Sequence, residues 1–202
     1  MMSEIWFSSD LHLNHAKDFI WKERGFSSVE EMNAALIDNF NECVQTQDTL
    51  YLLGDNWLNC SIEEGITLLH QIRCKDIRFI FGNHESPQRR EALKEIGTPN
   101  GWAEMIKDAK KYYLLSHYPT QTANYDDEWG NAVRNLHGHS HQKSPLSGDF
   151  QINVGVDAWN NRPVSFGEVR ELLNRSYFSD AFVHPKKEFE KPVPKGEYSW
   201  EL

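Results

Sequence analysis

Residues 49–56 have the sequence TLYLLGDN, in which a short apolar run is followed directly by glycine, aspartate and asparagine. A continuous apolar run of this length, stopped by glycine, is typical of a buried strand. The polar residues that follow would lie at the carboxyl end of that strand. The sequence therefore predicts a strand over residues 49–53 with the side chain of Asp55 just beyond its end.

The same pattern of an apolar run followed by polar residues recurs along the chain. Further strands are predicted at residues 5–8, 77–81, 112–116, 133–137 and 151–156. Helices are predicted after the candidate capping residues Ser27 and Ser28, and over residues 62–72, 87–96 and 166–173. Alternation of short strands with helical segments is typical of an α/β fold. In open α/β sheets, ligands bind outside the carboxyl ends of strands, so the polar clusters are candidate functional residues.

Composition narrows the classes of function. The 202 residues include 30 acidic and 21 basic side chains, and the resulting net charge of −9 argues against binding to long nucleic acids or anionic membranes. No apolar run approaches the roughly 20 residues of a membrane span, and the start lacks the features of a signal peptide. Three scattered cysteines indicate reduced thiols in a cytoplasmic protein.

The chain is expected to form one domain followed by a tail. Its length fits a single domain, which we place at residues 1–174. From residue 175 to residue 202, prolines stand among lysines and glutamates, and this composition predicts an extended tail that lies on the surface or binds a partner.

The polar clusters at the strand ends supply side chains that bind divalent metals. Each cluster alone also fits an ordinary turn, but together they offer carboxylate, amide and imidazole donors without a thiolate, the set that hard to borderline divalent ions prefer. Seven donors exceed what one tetrahedral ion needs and suit two ions that share a carboxylate. Two such ions with a bridging hydroxide leave a centre of about +1, which attracts a phosphate. The candidate ligands are Asp10, His12, Asp55, Asn83, His117, His139 and His141.

The chain resembles the calcineurin-like metallophosphoesterase family. The similarity extends from about Glu4 to about Val169, and residues 153–165 resemble those of small stand-alone members from bacteria and phages. It implies a four-layer α/β/β/α sandwich of two mixed sheets, with a dinuclear metal site at the carboxyl ends of the strands. The motifs that carry it occur in the family's order as Asp10-x-His12, Gly54-Asp55, Gly82-Asn83-His84-Glu85, His117 and Gly138-His139-x-His141.

The resemblance also implies a role for each motif residue. His84 would be the catalytic acid that donates a proton to the leaving group. Two positions depart from the family: Leu58 stands where many members have an aspartate that orients this histidine, and Glu85 replaces a commoner aspartate. The orientation of His84 is therefore open at this stage. The first metal would be held by Asp10, His12, Asp55 and His141, and the second by Asp55, Asn83, His117 and His139, with Asp55 bridging.

Three residues are candidate substrate contacts. His15 follows the first motif at a place where small stand-alone members often carry a histidine, Arg24 precedes the first long helix and carries a guanidinium suited to phosphate, and Asn83 lies beside the predicted acid. Each of the first two also fits a structural or solvated role. His137 is expected to be buried or to support a ligand, and an aromatic, acidic segment at residues 125–129 is a candidate loop over a substrate base.

These residues predict a metal-dependent phosphodiesterase or phosphatase that uses a metal-bridging hydroxide on a small nucleotide or other diester. We expect two divalent ions, with Mn²⁺ preferred and Fe, Zn or Ni as alternatives. A non-catalytic scaffold that keeps the fold and binds a partner is the main alternative. A mononuclear zinc hydrolase of the metallo-β-lactamase type fits less well, because Gln142, Lys143 and Ser144 do not supply the ligands it needs. The sequence does not indicate an oligomeric state.

Overall fold

The computed structural model describes residues 3–109, 111–121, 133–148 and 150–178 and places strand β2 (Thr49–Leu53) at the centre of a five-stranded sheet. Four parallel strands follow the order β1-β2-β3-β4, and a fifth, β10, pairs antiparallel with β1. The other strands of this sheet are β1 (Ile5–Ser8), β3 (Asp76–Ile80), β4 (Thr98–Gly101) and β10 (Val164–Ser165).

A second five-stranded sheet has the order β5-β6-β7-β9-β8. Its central strands pair in parallel, whereas each edge strand is antiparallel to its neighbour. Two mixed sheets combined with helices confirm the predicted α/β fold class. The strands are β5 (Ala103–Asp108), β6 (Lys111–Ser116), β7 (Arg134–His137), β8 (Leu146–Gly148) and β9 (Gln151–Asn153).

The described part of the chain also forms five α-helices. Serine side chains cap several of these helices: the hydroxyl of Ser28 accepts the N–H of Glu31, that of Ser86 accepts the N–H of Arg89, and Ser61 forms a complete capping box with Glu64. Short 3₁₀ turns cover Leu93–Glu95 and Val156–Ala158. The helices are α1 (Asp18–Trp21), α2 (Val29–Cys43), α3 (Ile62–Leu69), α4 (Pro87–Ala92) and α5 (Phe166–Phe178).

Strand β2 contributes alternate side chains to two hydrophobic cores. Leu50 and Leu52 pack in the core that contains the apolar face of α2, whereas Tyr51 and Leu53 pack in the core that includes residues of the second sheet. Successive side chains of a strand point to opposite faces, so a strand between two cores is apolar at every position. The unbroken apolar run of β2 therefore reflects its position between α2 and the second sheet.

Several boundaries and elements differ from the prediction. Strand β9 ends at Asn153 rather than at the predicted residue 156, and α3 ends at Leu69 rather than at residue 72. Helix α5 continues to Phe178, so residues 175–178, predicted to start the extended tail, are helical. Residues 179–202 and the predicted loop at residues 125–129 lie outside the described residues. The sequence analysis missed α1, β4, β5, β8 and β10.

Among the described residues, none of the helices combines the length and the apolar character that crossing a bilayer requires. The three cysteines, Cys43, Cys60 and Cys74, are unpaired thiols.

Asp48 ties the start of β2 to the start of β1, and its loss is expected to destabilise the fold. Its buried carboxylate accepts the backbone N–H groups of Glu4 and Gln45 and the indole N–H of Trp6. Burial opposes ionisation, but these three donors hold the pKa of Asp48 below its ordinary value. We expect Asp48→Asn to lower the free energy of unfolding by about 1–3 kcal/mol at neutral pH. The side-chain N–H₂ of asparagine would face one of these N–H groups, which would then lose its acceptor.

The pH dependence of this effect follows from the direction of the shift. A depressed carboxyl pKa contributes stability above the unfolded pKa of about 3.9, and that contribution is lost as pH falls through the folded pKa. Urea unfolding at neutral and acidic pH should therefore show a difference between wild type and Asp48→Asn that shrinks in acid. Asp38→Asn, which changes an exposed carboxylate of α2, is the control. A difference that grows in acid would contradict the assignment.

Candidate metal centre

All seven predicted ligands follow the carboxyl end of a strand, and both sheets contribute. Asp10, Asp55 and Asn83 come after β1, β2 and β3 of the first sheet. His117 comes after β6 of the second sheet, and the segment 139–141 comes after β7. Because the two sheets pack face to face, these loops meet at one end of the sandwich.

The cluster has a buried floor and an exposed rim. Four side chains at the floor are almost inaccessible, and Asp10 is only 1% exposed. The other three candidate ligands and His84 are on the exposed rim. An ion held at the floor would thus remain reachable from solvent. The floor consists of Asp10, His12, Asp55 and His117.

One group of donors lies around His12. Its Nε2 is 3.2 Å from Nε2 of His141 and 3.9 Å from Oδ1 of Asp10, and His141 Nε2 is 3.8 Å from the same oxygen. These three atoms lie within 4.8 Å of one another, which is close enough for one divalent ion to bind all of them.

A second group of donors lies around His117. Its Nε2 is 2.9 Å from Oδ1 of Asn83, 3.2 Å from Nδ1 of His139 and 3.5 Å from Oδ2 of Asp55. Asp10, Asp55 and His117 also offer ligand atoms within 4.8 Å of one another. The two groups are therefore adjacent, and the carboxylates lie between them.

The Asp55 carboxylate faces both groups through one oxygen. Its Oδ2 is 3.9 Å from His12 Nε2 and 3.5 Å from His117 Nε2. Its Oδ1 accepts the backbone N–H of His84 at 3.1 Å. One oxygen is thus held by the backbone, and the other is directed between the two donor groups.

The loops that carry the ligands have an uncommon backbone conformation. Five of the seven candidate ligands have φ between +49° and +66°, in the left-handed region. Aspartate and histidine tolerate this region better than most residues, and clusters of such strain are typical of functional sites. The residues concerned are Asp10, His12, Asp55, His139 and His141.

Two imidazoles are oriented by hydrogen bonds on the side away from the cluster. His117 Nδ1 is 2.8 Å from the carbonyl oxygen of Leu53, which can only accept, so this nitrogen carries the proton. His141 Nδ1 is 2.8 Å from Oδ2 of Asp157, and the same reasoning applies. In the neutral ring of each residue, Nε2 therefore has the lone pair, and it faces the other donors, as metal binding requires.

The protonation of the floor suits a bound cation. Asp10 Oδ1 is buried without a hydrogen-bond partner, and burial raises the pKa of this carboxyl above its ordinary value. Burial also lowers the pKa of His12 to about 2, so that its imidazole is neutral. A buried carboxyl oxygen without a hydrogen-bond partner, beside the neutral imidazole of His12, is the chemistry of a metal site, and the residues present therefore fit divalent ions.

Glu85 has a structural role that the sequence analysis did not foresee. Its buried carboxylate accepts the backbone N–H groups of Gly82, Asp55 and Asn56. It therefore joins the loop after β3 to the loop after β2. Its carboxylate does not take over the role of the orienting aspartate that many family members have at the position of Leu58. The His84 ring is 41% exposed, with Nε2 3.8 Å from Asp55 Oδ2 and its face perpendicular to the His12 ring.

The candidate substrate contacts divide into two kinds. Asn83 and His15 lie at the cluster, where His15 Nδ1 is 3.3 Å from His12 Nδ1. Arg24 is buried, and all of its N–H groups are directed at acceptors within the protein. The substrate contact predicted for Arg24 is therefore not supported, because the guanidinium has no donor left to offer a phosphate.

Asp157 is the site residue that the sequence analysis overlooked. The segment 153–157 resembles small members of the family, but this resemblance implies no role for the carboxylate at its end. In the structure it lies between Arg24 and His141. His137, by contrast, is buried as expected, and its Nε2 is 2.5 Å from the hydroxyl of Ser147.

The comparison with known protein families agrees with this geometry. The calcineurin-like phosphoesterase family model matches residues 3–184. The chain belongs to this family. The match extends over every candidate ligand, and it confirms the resemblance inferred from the motifs.

Similar proteins come from archaea, phages and bacteria. An uncharacterized protein of Methanocaldococcus jannaschii is 32% identical, with 86% of this chain and 93% of the relative covered. The gene 66 protein of Mycobacterium phage L5 is also 32% identical over 86% of this chain and 95% of its own length. A solved structure of a protein of unknown function from Aquifex aeolicus has a TM-score of 0.66 and 23% identity, over 85% of this chain and all of that chain. This likeness supports the fold.

Gly138 is required by the close packing at the floor, which provides a test of the site. A Cβ atom at this position would collide with the side chains of Ser9 and Asp10. We expect Gly138→Ala to displace the Asp10 carboxylate and to weaken Mn²⁺ binding by about 10-fold or more while the protein stays folded. Gly167→Ala is the control, because a Cβ there meets only ordinary contacts. Mn²⁺ affinity equal to that of wild type would show that the Asp10 side chain is not a ligand.

Proposed function

We propose that the protein is a dinuclear metal-dependent phosphoester hydrolase. Family membership supports a phosphoester hydrolase that uses divalent metal. The observation that carries the dinuclear proposal is the position of Asp55 Oδ2, which lies 3.9 Å and 3.5 Å from the central imidazole nitrogens of two separate donor groups. A shared carboxylate of this kind is what two adjacent ions need to reduce their repulsion.

The donors divide between two ions as the family resemblance implied. When bound, the two ions supply a hydroxide nucleophile at neutral pH and neutralise charge that develops on the phosphoryl oxygens. We propose Mn²⁺ as the working metal, with Fe, Zn or Ni as alternatives. Asp10, His12, Asp55 and His141 would hold the first ion, and Asp55, Asn83, His117 and His139 would hold the second.

His84 is proposed as the proton donor to the leaving group. Its backbone N–H is bound to Asp55 Oδ1, which places the residue directly beside the shared carboxylate. Its ring is half-exposed at the rim, so one ring nitrogen can face a bound ester while the other faces solvent. His15 is proposed to contact a non-bridging phosphoryl oxygen from the same side, since both rings adjoin His12.

The substrate proposed is a small phosphodiester or nucleotide handled in the cytoplasm. The net charge of −9 opposes the approach of a long polyanion, whereas a small phosphoester needs only the local positive charge of a loaded centre. The complete donor set and the exposed rim favour catalysis over the scaffold role considered as an alternative.

Hydrolysis of bis-p-nitrophenyl phosphate tests the proposed activity. We expect Mn²⁺-dependent release of p-nitrophenol by wild type and a loss of at least about 10²-fold in kcat/KM for Asp55→Asn, which removes the charge shared by both ions. Asp108→Asn, a change at a surface carboxylate paired with Arg170, should leave turnover unchanged. Turnover that persists after chelation of the metal would overturn the proposal.

The role of His84 predicts a dependence on the leaving group. General acid catalysis contributes about 10²–10⁴-fold, and it matters most when the departing oxygen is a strong base. His84→Ala should therefore lower kcat strongly for an alkyl ester and weakly for a p-nitrophenyl ester. His70→Ala, at the end of α3, is the matched control. An equal loss for both esters would instead assign His84 to binding.

A further inference from the structure

Arg24 is a buried cation whose five N–H groups all meet acceptors. Its side chain is 1% exposed. Nε is 2.8 Å and Nη2 is 3.1 Å from the two carboxylate oxygens of Asp157. Nη1 donates to the carbonyl of Leu11 and approaches the sulfur of Met32, and Nη2 also donates to the carbonyl of Asp10. Arginine is the side chain suited to this pattern, because its planar fork binds a carboxylate through two parallel hydrogen bonds.

These contacts join two ligand loops that are far apart in sequence. On one side, Arg24 holds the backbone carbonyls of Asp10 and Leu11, within the loop that presents Asp10 and His12. On the other side, it holds Asp157, whose Oδ2 accepts the Nδ1 proton of His141 at 2.8 Å. The side chains of Arg24 and Asp157 are 133 residues apart along the chain. The pair therefore connects His141 to the backbone of the loop that carries Asp10 and His12.

The second donor group is supported in a different way. His117 donates its Nδ1 proton to a backbone carbonyl, that of Leu53, without a charged residue behind it. A buried ion pair costs solvation free energy for both partners, and it is a poor source of stability compared with apolar packing. Among the described residues, such a pair lies behind the first group and not behind His117, and this difference points to a positional role.

We propose that Arg24 and Asp157 form a clamp that positions His141, together with the Asp10 loop, for the first metal ion. This inference rests on the proposed dinuclear centre and assigns positioning roles to two residues. Asp157 acts through His141, since it fixes which ring nitrogen carries the proton and which faces the metal. Arg24 acts through Asp157 and through the carbonyls of Asp10 and Leu11.

Replacement of Asp157 by asparagine removes this control whichever way the amide is oriented. If the amide oxygen takes the place of Oδ2, it still accepts from His141, but the amide N–H₂ then faces the Nε–H of Arg24. If the amide is reversed, the N–H₂ faces His141 Nδ1 and favours the tautomer with the proton on Nε2. The first orientation disrupts the clamp, and the second protonates the nitrogen that the metal requires.

Calorimetric titration of the full-length metal-free protein with Mn²⁺ tests the proposal without reference to activity. We expect Asp157→Asn to weaken one of the two Mn²⁺ sites by about 10–100-fold and to leave the other unchanged. Glu168→Gln is the matched control, because Glu168 forms a two-point pair with Arg162 and accepts the N–H of Ser165 away from the centre. Two wild-type affinities in Asp157→Asn, or equal weakening of both sites, would overturn the proposal.

A double-mutant cycle separates positioning from a general structural effect. If Asp157 acts mainly through His141, then Asp157→Asn should lose most of its effect on Mn²⁺ affinity once His141→Ala is present, and any remainder reflects the Asp10 loop that Arg24 holds. Fully additive losses would contradict the clamp.

A measurement on wild type covers the case in which the variants fail to fold. Nitrogen-15 shifts of the imidazoles should show His141 with its proton on Nδ1, and a proton on Nε2 of the neutral ring would overturn the proposal. Failure of the wild type to hydrolyse phosphoesters while it binds two Mn²⁺ ions would reject the proposed function and leave the clamp intact.

Discussion

The joint burial of two aspartates, Asp10 and Asp55, is the constraint to which the rest of the centre is adapted. Each carboxylate has one oxygen bound by a backbone N–H, from His139 in one case and His84 in the other. The remaining oxygens face the donor groups, and that of Asp10 has no hydrogen-bond partner. Two anions close together in a medium of low dielectric repel each other, and the neutral imidazole of His12 does not relieve that repulsion. Bound cations would relieve this repulsion, so the fold of the centre and its metal chemistry depend on each other.

The loops keep this arrangement because they continue the sheet beyond its strands. The N–H groups of Asp10, His12 and Leu13 donate to carbonyls of the loop after β2, in the sense of the parallel pairing between β1 and β2. Glu85 then binds three N–H groups of the loops after β2 and β3. Left-handed backbone persists where the surrounding structure determines it in this way. The ligands are therefore held by backbone geometry as well as by their own contacts.

Much of the fold could be predicted because strands that are buried on both faces consist of consecutive apolar residues. Strand β2 lies between two cores, so its residues from Leu50 to Leu53 are all apolar. Its end is marked by Gly54, where a Cβ atom would collide with Gly82 and His117. The polar residues that follow such strands are of only a few types, and their order along the chain identified the family. The strands β4 and β5 gave no comparable signal, since β4 contains Pro99 and Gly101 and β5 alternates at a sheet edge.

The roles of Arg24 and Asp157 could not be predicted for a different reason. Whether an arginine is a free surface cation or a buried one depends on acceptors that other parts of the chain provide, and here they come from residues 10, 11 and 157.

The contribution of both sheets to one centre also has a consequence for biosynthesis. A ribosome extends the chain from the amino terminus at about 5–20 residues per second, so Asp10, His12 and Asp55 emerge well before His139, His141 and Asp157. A growing or stalled chain thus presents incomplete acidic half-sites, and a complete centre requires translation through Asp157.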